Sequence, residues 1–301
     1  MPADRTSPYG EIVARAPVDS VTVTVRGTAS KVWRYGAAQP RTTVLFLHGF
    51  RGDHHGLEPI VAHLVDADPG LRVLVPDLPG FGATPPLPQD AHDLDGFTAW
   101  ARELAGHVPG DVVLAGHSFG SIIATATVAG DGAGFTSLVL VNPIASSALA
   151  GPRAVTRQVT AAYHRLAGAL PEPVGELMLR NRLISRIAGL ALMTTSDRAL
   201  RRWIHDEHDR YFSTFATRAS LLEAFAASVG HDVAQYAPEV KVPTLLVAGE
   251  RDDLAPAAAQ RALLPRFPDA RLVLLPGTGH LAHYEAPAAV AAAISEFVCG
   301  S

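Results

Sequence analysis

The chain has 301 residues, a formal net charge of −4 and 48% hydrophobic residues. That length suits one large α/β domain, or one domain with an inserted subdomain, and is ample for a buried core. The mild charge argues against a nucleic-acid partner, because Arg201 and Arg202 form too short a basic patch and Asp206, Glu207 and Asp209 follow them.

The N-terminal run Met1-Pro2-Ala3-Asp4 lacks the apolar core of a signal peptide. No stretch approaches the roughly 20 apolar residues of a membrane helix, so a cytoplasmic protein with no membrane span is expected. Cys299 is the single cysteine, so no intrachain disulfide is possible. Residues 21–25 alternate apolar and polar and read as an edge strand, with 31–35 as a hairpin partner. Strands follow at 43–47, 72–75, 111–115, 137–141, 244–248 and 271–275. Their near-continuous apolar character marks a parallel sheet covered on both faces. Between them, 57–66, 97–107 and 119–128 have helical spacing, and a last helix runs from Pro287 to about 298. The steady alternation means α/β with right-handed crossovers.

Residues 145–237 break this rhythm. They contain no convincing strand, and 161–170, 174–192, 198–208 and 219–229 read as helices. So long a connection is not a loop. The expected organisation is a core made of 1–144 and 238–301, with 145–237 as a helical cap over the strand ends.

Chemistry concentrates at three strand ends. Strand 111–115 runs into Gly116-His117-Ser118-Phe119-Gly120 and then a helix, which is G-x-S-x-G in its informative context. A strained turn there pushes Ser118 forward as a nucleophile. The N–H of Phe119, at a helix N-terminus, is positioned to stabilise an oxyanion. Strand 43–47 ends in His48-Gly49-Phe50, so the Phe50 N–H is the second candidate donor, and His48 is read as structural. A serine hydroxyl needs a base in reach. Among 13 histidines, His280 follows the last strand and Pro276-Gly277-Thr278-Gly279, with His283 a weaker candidate. Asp252 is the chosen acid, with Glu250 and Asp253 as rivals beside it. The chain order Ser118, Asp252, His280 is that of Ser, acid, His in α/β hydrolases.

With these pieces the chain resembles the α/β-hydrolase fold superfamily, in its capped serine-esterase branch. The matching segments are His48-Gly49-Phe50, residues 76–82, Gly116-His117-Ser118-Phe119-Gly120, Gly249-Glu250-Arg251-Asp252 and Gly277-Thr278-Gly279-His280. The resemblance implies an eight-stranded, mostly parallel sheet flanked by helices, with the cap inserted after strand 6. It also makes Asp77 a turn residue supporting its loop. Ser118 stands where dehalogenases and epoxide hydrolases have Asp. Phe50 departs from the Trp of haloperoxidase-like members, and Ser121 from a frequent Gly.

The expected activity is hydrolysis of an ester, thioester or lactone of a small hydrophobic substrate, without cofactor or metal. Oligomeric state is left open. One alternative is carbon–carbon bond hydrolysis of the meta-cleavage-product type, with Arg180, Arg182, Arg186 or Arg202 holding a carboxylate. Another is a ligand receptor retaining the triad. His205 and His208 have a metal-like spacing, but their charged neighbours suggest a solvated helix face. His54 and His55 read as surface loop. Tyr163, Trp203, Tyr211, Phe212, Phe215 and Phe225 supply cap core and some pocket walls.

Overall fold

A computed structural model describes residues 7–130, 134–146, 154–181, 186, 189–190, 192–212 and 214–299. Eight strands form one sheet: β1 (Val18–Val25), β2 (Thr28–Gly36), β3 (Thr42–Leu47), β4 (Leu71–Pro76), β5 (Val112–His117), β6 (Phe135–Val141), β7 (Thr244–Gly249) and β8 (Ala270–Leu275). Their order is β1-β2-β4-β3-β5-β6-β7-β8. β2 runs antiparallel to β1 and β4, and every other pairing is parallel. The alternating run is the edge strand β1, exposed at Val18 to Ser20 and tied to one neighbour. The apolar runs β3, β5 and β7 lie inside, buried almost throughout.

Helices cover both faces of the sheet. Before the fourth parallel strand come α1 (Gly10–Arg15), α2 (Glu58–Ala67), α3 (Leu94–Gly106) and α4 (Phe119–Gly130). Trp100, Phe97 and Ile122 pack beneath one face, in a core shared with Leu45 and Leu114. Ile60, Leu64, Val290 and Ile294 pack on the other with Val44 and Val113. The sign of each strand residue follows from the two-residue period of the pleat.

Between β6 and β7 lie α5 (Ala154–Ala169), α6 (Glu172–Leu179), α7 (Arg198–Tyr211) and α8 (Arg218–Gly230), and among the described residues this insertion holds no strand. It meets the core through a bridge between Phe81 and Phe215 and the bond from Ala216 N–H to Gly80 O at 2.9 Å. The helix expected over 174–192 ends at Leu179, where Arg180 leaves the helix and folds back onto Glu176. Part of the remaining segment, Arg182 included, lies outside the described residues. After β7 come α9 (Ala257–Leu263), the short α10 (Ala282–Glu285) and α11 (Pro287–Cys299). α1 and α10 escape the periodicity reading because they are too short to show a face.

Candidate active site

The turn between β5 and α4 explains its own glycines. Ser118 has φ +53°, a left-handed conformation that costs free energy in a non-glycine residue. It is held by Ser118 N–H on Val141 O at 3.0 Å and by Ser121 N–H on Ser118 O at 2.9 Å. A Cβ at position 116 would sit 2.2 Å from Gly120 O, and one at 120 would sit 2.4 Å from Leu47 O. Only glycine lets the turn, the helix and the end of β3 approach this closely.

Three side chains from three strand ends converge there. Ser118 Oγ lies 2.9 Å from His280 Nε2, and His280 Nδ1 lies 2.8 Å from Asp252 Oδ2. With Nδ1–H donating to the carboxylate, Nε2 is left as the acceptor for the serine hydroxyl. Asp252 and His280 are buried, while Ser118 is half-buried. Asp253 and Glu250 are exposed, and Glu250 Oε2 accepts the Gly277 N–H instead. Burial pushes the Asp252 carboxyl up. The charge and hydrogen bond of His280, with Asn142 Nδ2 and the Ala255 N–H, outweigh it and bring the group below the ordinary carboxylate range.

Residues that pattern reading passed over hold this geometry. Asn142, at the end of β6 with φ +45°, donates Nδ2 to Asp252 Oδ2 at 2.9 Å and to Gly279 O at 3.1 Å. Asp252 Oδ1 accepts the N–H groups of Leu254 and Ala255. Gln260 Nε2 ties the acid loop to Pro143 O, and Glu285 accepts the N–H groups of Gly279, Thr194 and Thr195. The only sequence signal for Asn142 is a polar residue closing an apolar strand.

His48 is structural, as expected: Nδ1–H donates to Gly49 O, and Nε2 accepts the Leu78 N–H at 2.9 Å. Phe50, expected from the sequence as the second donor, is half-buried and packs edge-on to Phe119 and Phe81. Phe225 and His164 of the insertion close over Phe50, with their own rings stacked 3.7 Å apart. Tyr163 adjoins His164. Trp203 instead packs on Tyr9 and Tyr284. A cavity of about 230 Å³ reaches His280, lined by Leu192, Met193, Thr194, Arg251, Asp253 and Leu254 among others.

Two expectations are corrected. His54 and His55 are not a surface loop. His54 is buried, bonded to Asp77 Oδ1 at 3.0 Å and stacked on Trp33, while His55 bonds Asp53 and stacks on Tyr211. α7 does not present a solvated face at His208, because Glu207 and His208 are both buried. His283, the weaker candidate base, is buried in α10 with its ring against His117 and Tyr284. Asp77 supports its loop by accepting the His54 and Ala83 N–H groups. Of the arginines considered for a substrate carboxylate, Arg180 pairs with Glu176 and Arg186 with Asp209, and Arg202 is exposed.

Asp53, His54 and His55 bring ligand-type atoms within 4.8 Å of one another. The Asp53 carboxylate and His55 Nδ1 are already spent on each other, and His54 Nδ1 is spent on Asp77 Oδ1. Among the described residues no helix is long and apolar enough to cross a membrane.

Comparison with known proteins places this geometry in context. A family model described as the alpha/beta hydrolase family matches residues 44–293. A pimeloyl-[acyl-carrier protein] methyl ester esterase from Aromatoleum aromaticum is 29% identical over 86% of this chain and 99% of its own length. The enzyme of the same name from Chromobacterium violaceum is 31% identical over 79% of this chain and 86% of its own. Among solved structures, a malate-bound thermophilic esterase from Thermogutta terrifontis superposes with a TM-score of 0.73 at 22% identity, over 94% of this chain and 98% of that one. At that identity the likeness is one of fold.

Proposed function

The chain belongs to the alpha/beta hydrolase family, and from that premise we propose that it hydrolyses esters through Ser118, with His280 as base and Asp252 as its orienting acid. The observation that carries this reading is the unbroken line Ser118 Oγ–His280 Nε2–Asp252, with separations of 2.9 and 2.8 Å. His280 takes the serine proton as Oγ attacks the carbonyl carbon, and the buried carboxylate balances the imidazolium that forms. The N–H groups of Phe50 and Phe119 hold the oxyanion, which carries full charge only after attack, so they favour the transition state over the ester. His280 then protonates the leaving alcohol. Water enters and releases the acyl group from Ser118 by the same steps.

The helices of the insertion between β6 and β7 act as the cap in this reading, with Phe225, His164 and Tyr163 forming an apolar wall for the acyl chain. Support comes from their packing on Phe50. The names of the curated relatives support an aliphatic acyl methyl ester as the substrate class. The deciding assay is hydrolysis of a p-nitrophenyl acyl ester by Ser118→Ala and His280→Ala. Each should lose several orders of magnitude, about 10⁴-fold or more, with the fold retained. Turnover at the wild-type rate by Ser118→Ala would refute the assignment.

A further inference from the structure

Arg51 follows Phe50 and carries two features that general folding requirements do not explain. Its backbone has φ +62°, where glycine would be free of strain. Its side chain is nonetheless a guanidinium that is 7% exposed, and among the described residues it forms no ion pair with a carboxylate. A buried charge needs compensation.

The compensation comes from two helix ends. Arg51 Nη2–H donates to Leu179 O at 2.6 Å, and Nε–H donates to Phe212 O at 3.1 Å. Leu179 is the last residue of α6, and Phe212 caps α7. Carbonyls at a helix C-terminus lack intrahelical donors and carry the negative end of the dipole. The rings of Phe212 and Phe215 lie 5.9 and 5.8 Å from the guanidinium carbon and add their negative faces. Burial lowers the pKa to about 10, which leaves the group charged at neutral pH.

We propose that Arg51 is a positioning residue that fastens the loop bearing the Phe50 N–H to the C-termini of two inserted helices. The inference rests on the serine-esterase reading, in which that N–H holds the oxyanion. Seating the helices then fixes the donor, and lifting them releases it. Cap position and oxyanion stabilisation are thereby linked through one side chain. A strained backbone at residue 51 follows, because this conformation aims the side chain away from the core and at the insertion.

The test compares Arg51→Met and Arg51→Lys with wild type on a p-nitrophenyl ester, and measures inhibition by an aliphatic trifluoromethyl ketone. That ketone adds the serine oxygen to its carbonyl carbon and places the resulting oxyanion where the ester's would form. Arg51→Met should lower kcat by about 10- to 100-fold with little change in KM. It should weaken ketone binding by the same factor as kcat/KM. Arg51→Lys, which keeps the charge and can reach one carbonyl, should recover part of both. If Arg51→Met does not fold, the lysine variant carries the comparison. Unchanged ketone affinity in a folded variant, even with a lowered Tm, would overturn the proposal. A raised KM confined to substrates bearing a carboxylate would overturn it too, and would make Arg51 a reader of substrate charge. Ser118→Ala is assayed alongside. If it retains turnover, the serine reading fails; if it is inactive while the Arg51 variants match wild type, only the present inference fails.

Discussion

His164→Phe should make the protein more resistant to acid. His164 is buried, its ring stacks on Phe225, Nδ1–H donates to Thr160 O, and Nε2 has no partner among the described residues. Burial, only partly offset by the Thr160 carbonyl, lowers its pKa from 6.5 to about 4. The unfolded chain therefore binds a proton on this ring as the pH falls through 6.5, and the folded chain does not until about pH 4. The unfolded state gains, so stability drops across that window and is level above it. The loss between pH 7 and pH 5 amounts to about 2 kcal/mol for this one ring. Phenylalanine keeps the stack, removes the unpartnered nitrogen and gives up one neutral hydrogen bond of about 1 kcal/mol. At pH 7 the variant should lie within about 1 kcal/mol of wild type. At pH 5 it should have gained about 2 kcal/mol relative to its pH 7 difference. Urea unfolding at both pH values measures this directly. An equal difference at pH 5 and pH 7 would refute the assignment of a buried, neutral imidazole.

The other expectations concern the same elements. Asn142→Ala removes a hydrogen bond to the charged Asp252, worth about 1.5–3 kcal/mol, and should lower kcat/KM by about 10- to 100-fold with the Tm changed far less than by a core truncation. Gly120→Ala drives a methyl into the carbonyls of Leu47 and His48, at 2.4 and 2.6 Å, so it should cost about 1–3 kcal/mol of stability and most of the turnover. Glu207 behaves in the opposite sense to His164. Burial raises its pKa from 4.5 to about 7, so the folded state holds the proton longer and stability falls as pH rises between those values. Glu207→Gln should therefore be stabilising by up to about 3 kcal/mol at pH 8 and near neutral at pH 4.5, read by thermal melts across the range.

The sequence alone determined the sheet and the three strand ends at which Ser118, Asp252 and His280 meet. Apolar runs such as 111–115 and 244–248 have one low-energy use, burial inside a two-sided sheet. Gly116 and Gly120 flank Ser118 because no side chain fits there. These are local requirements, and they leave local marks. Tertiary structure alone decided how the charges are balanced. Asp252 is separated from its neighbours Glu250 and Asp253 only by burial and by the imidazole it meets 28 residues away. Asn142, Gln260 and Glu285 act through partners distant in the chain, so spacing does not reveal them. His54, Glu207 and His208 look solvated in one dimension and are buried in three. Arg51 gives no periodic signal at all, because its bonds to Leu179 and Phe212 exist only once the inserted helices have packed against the core.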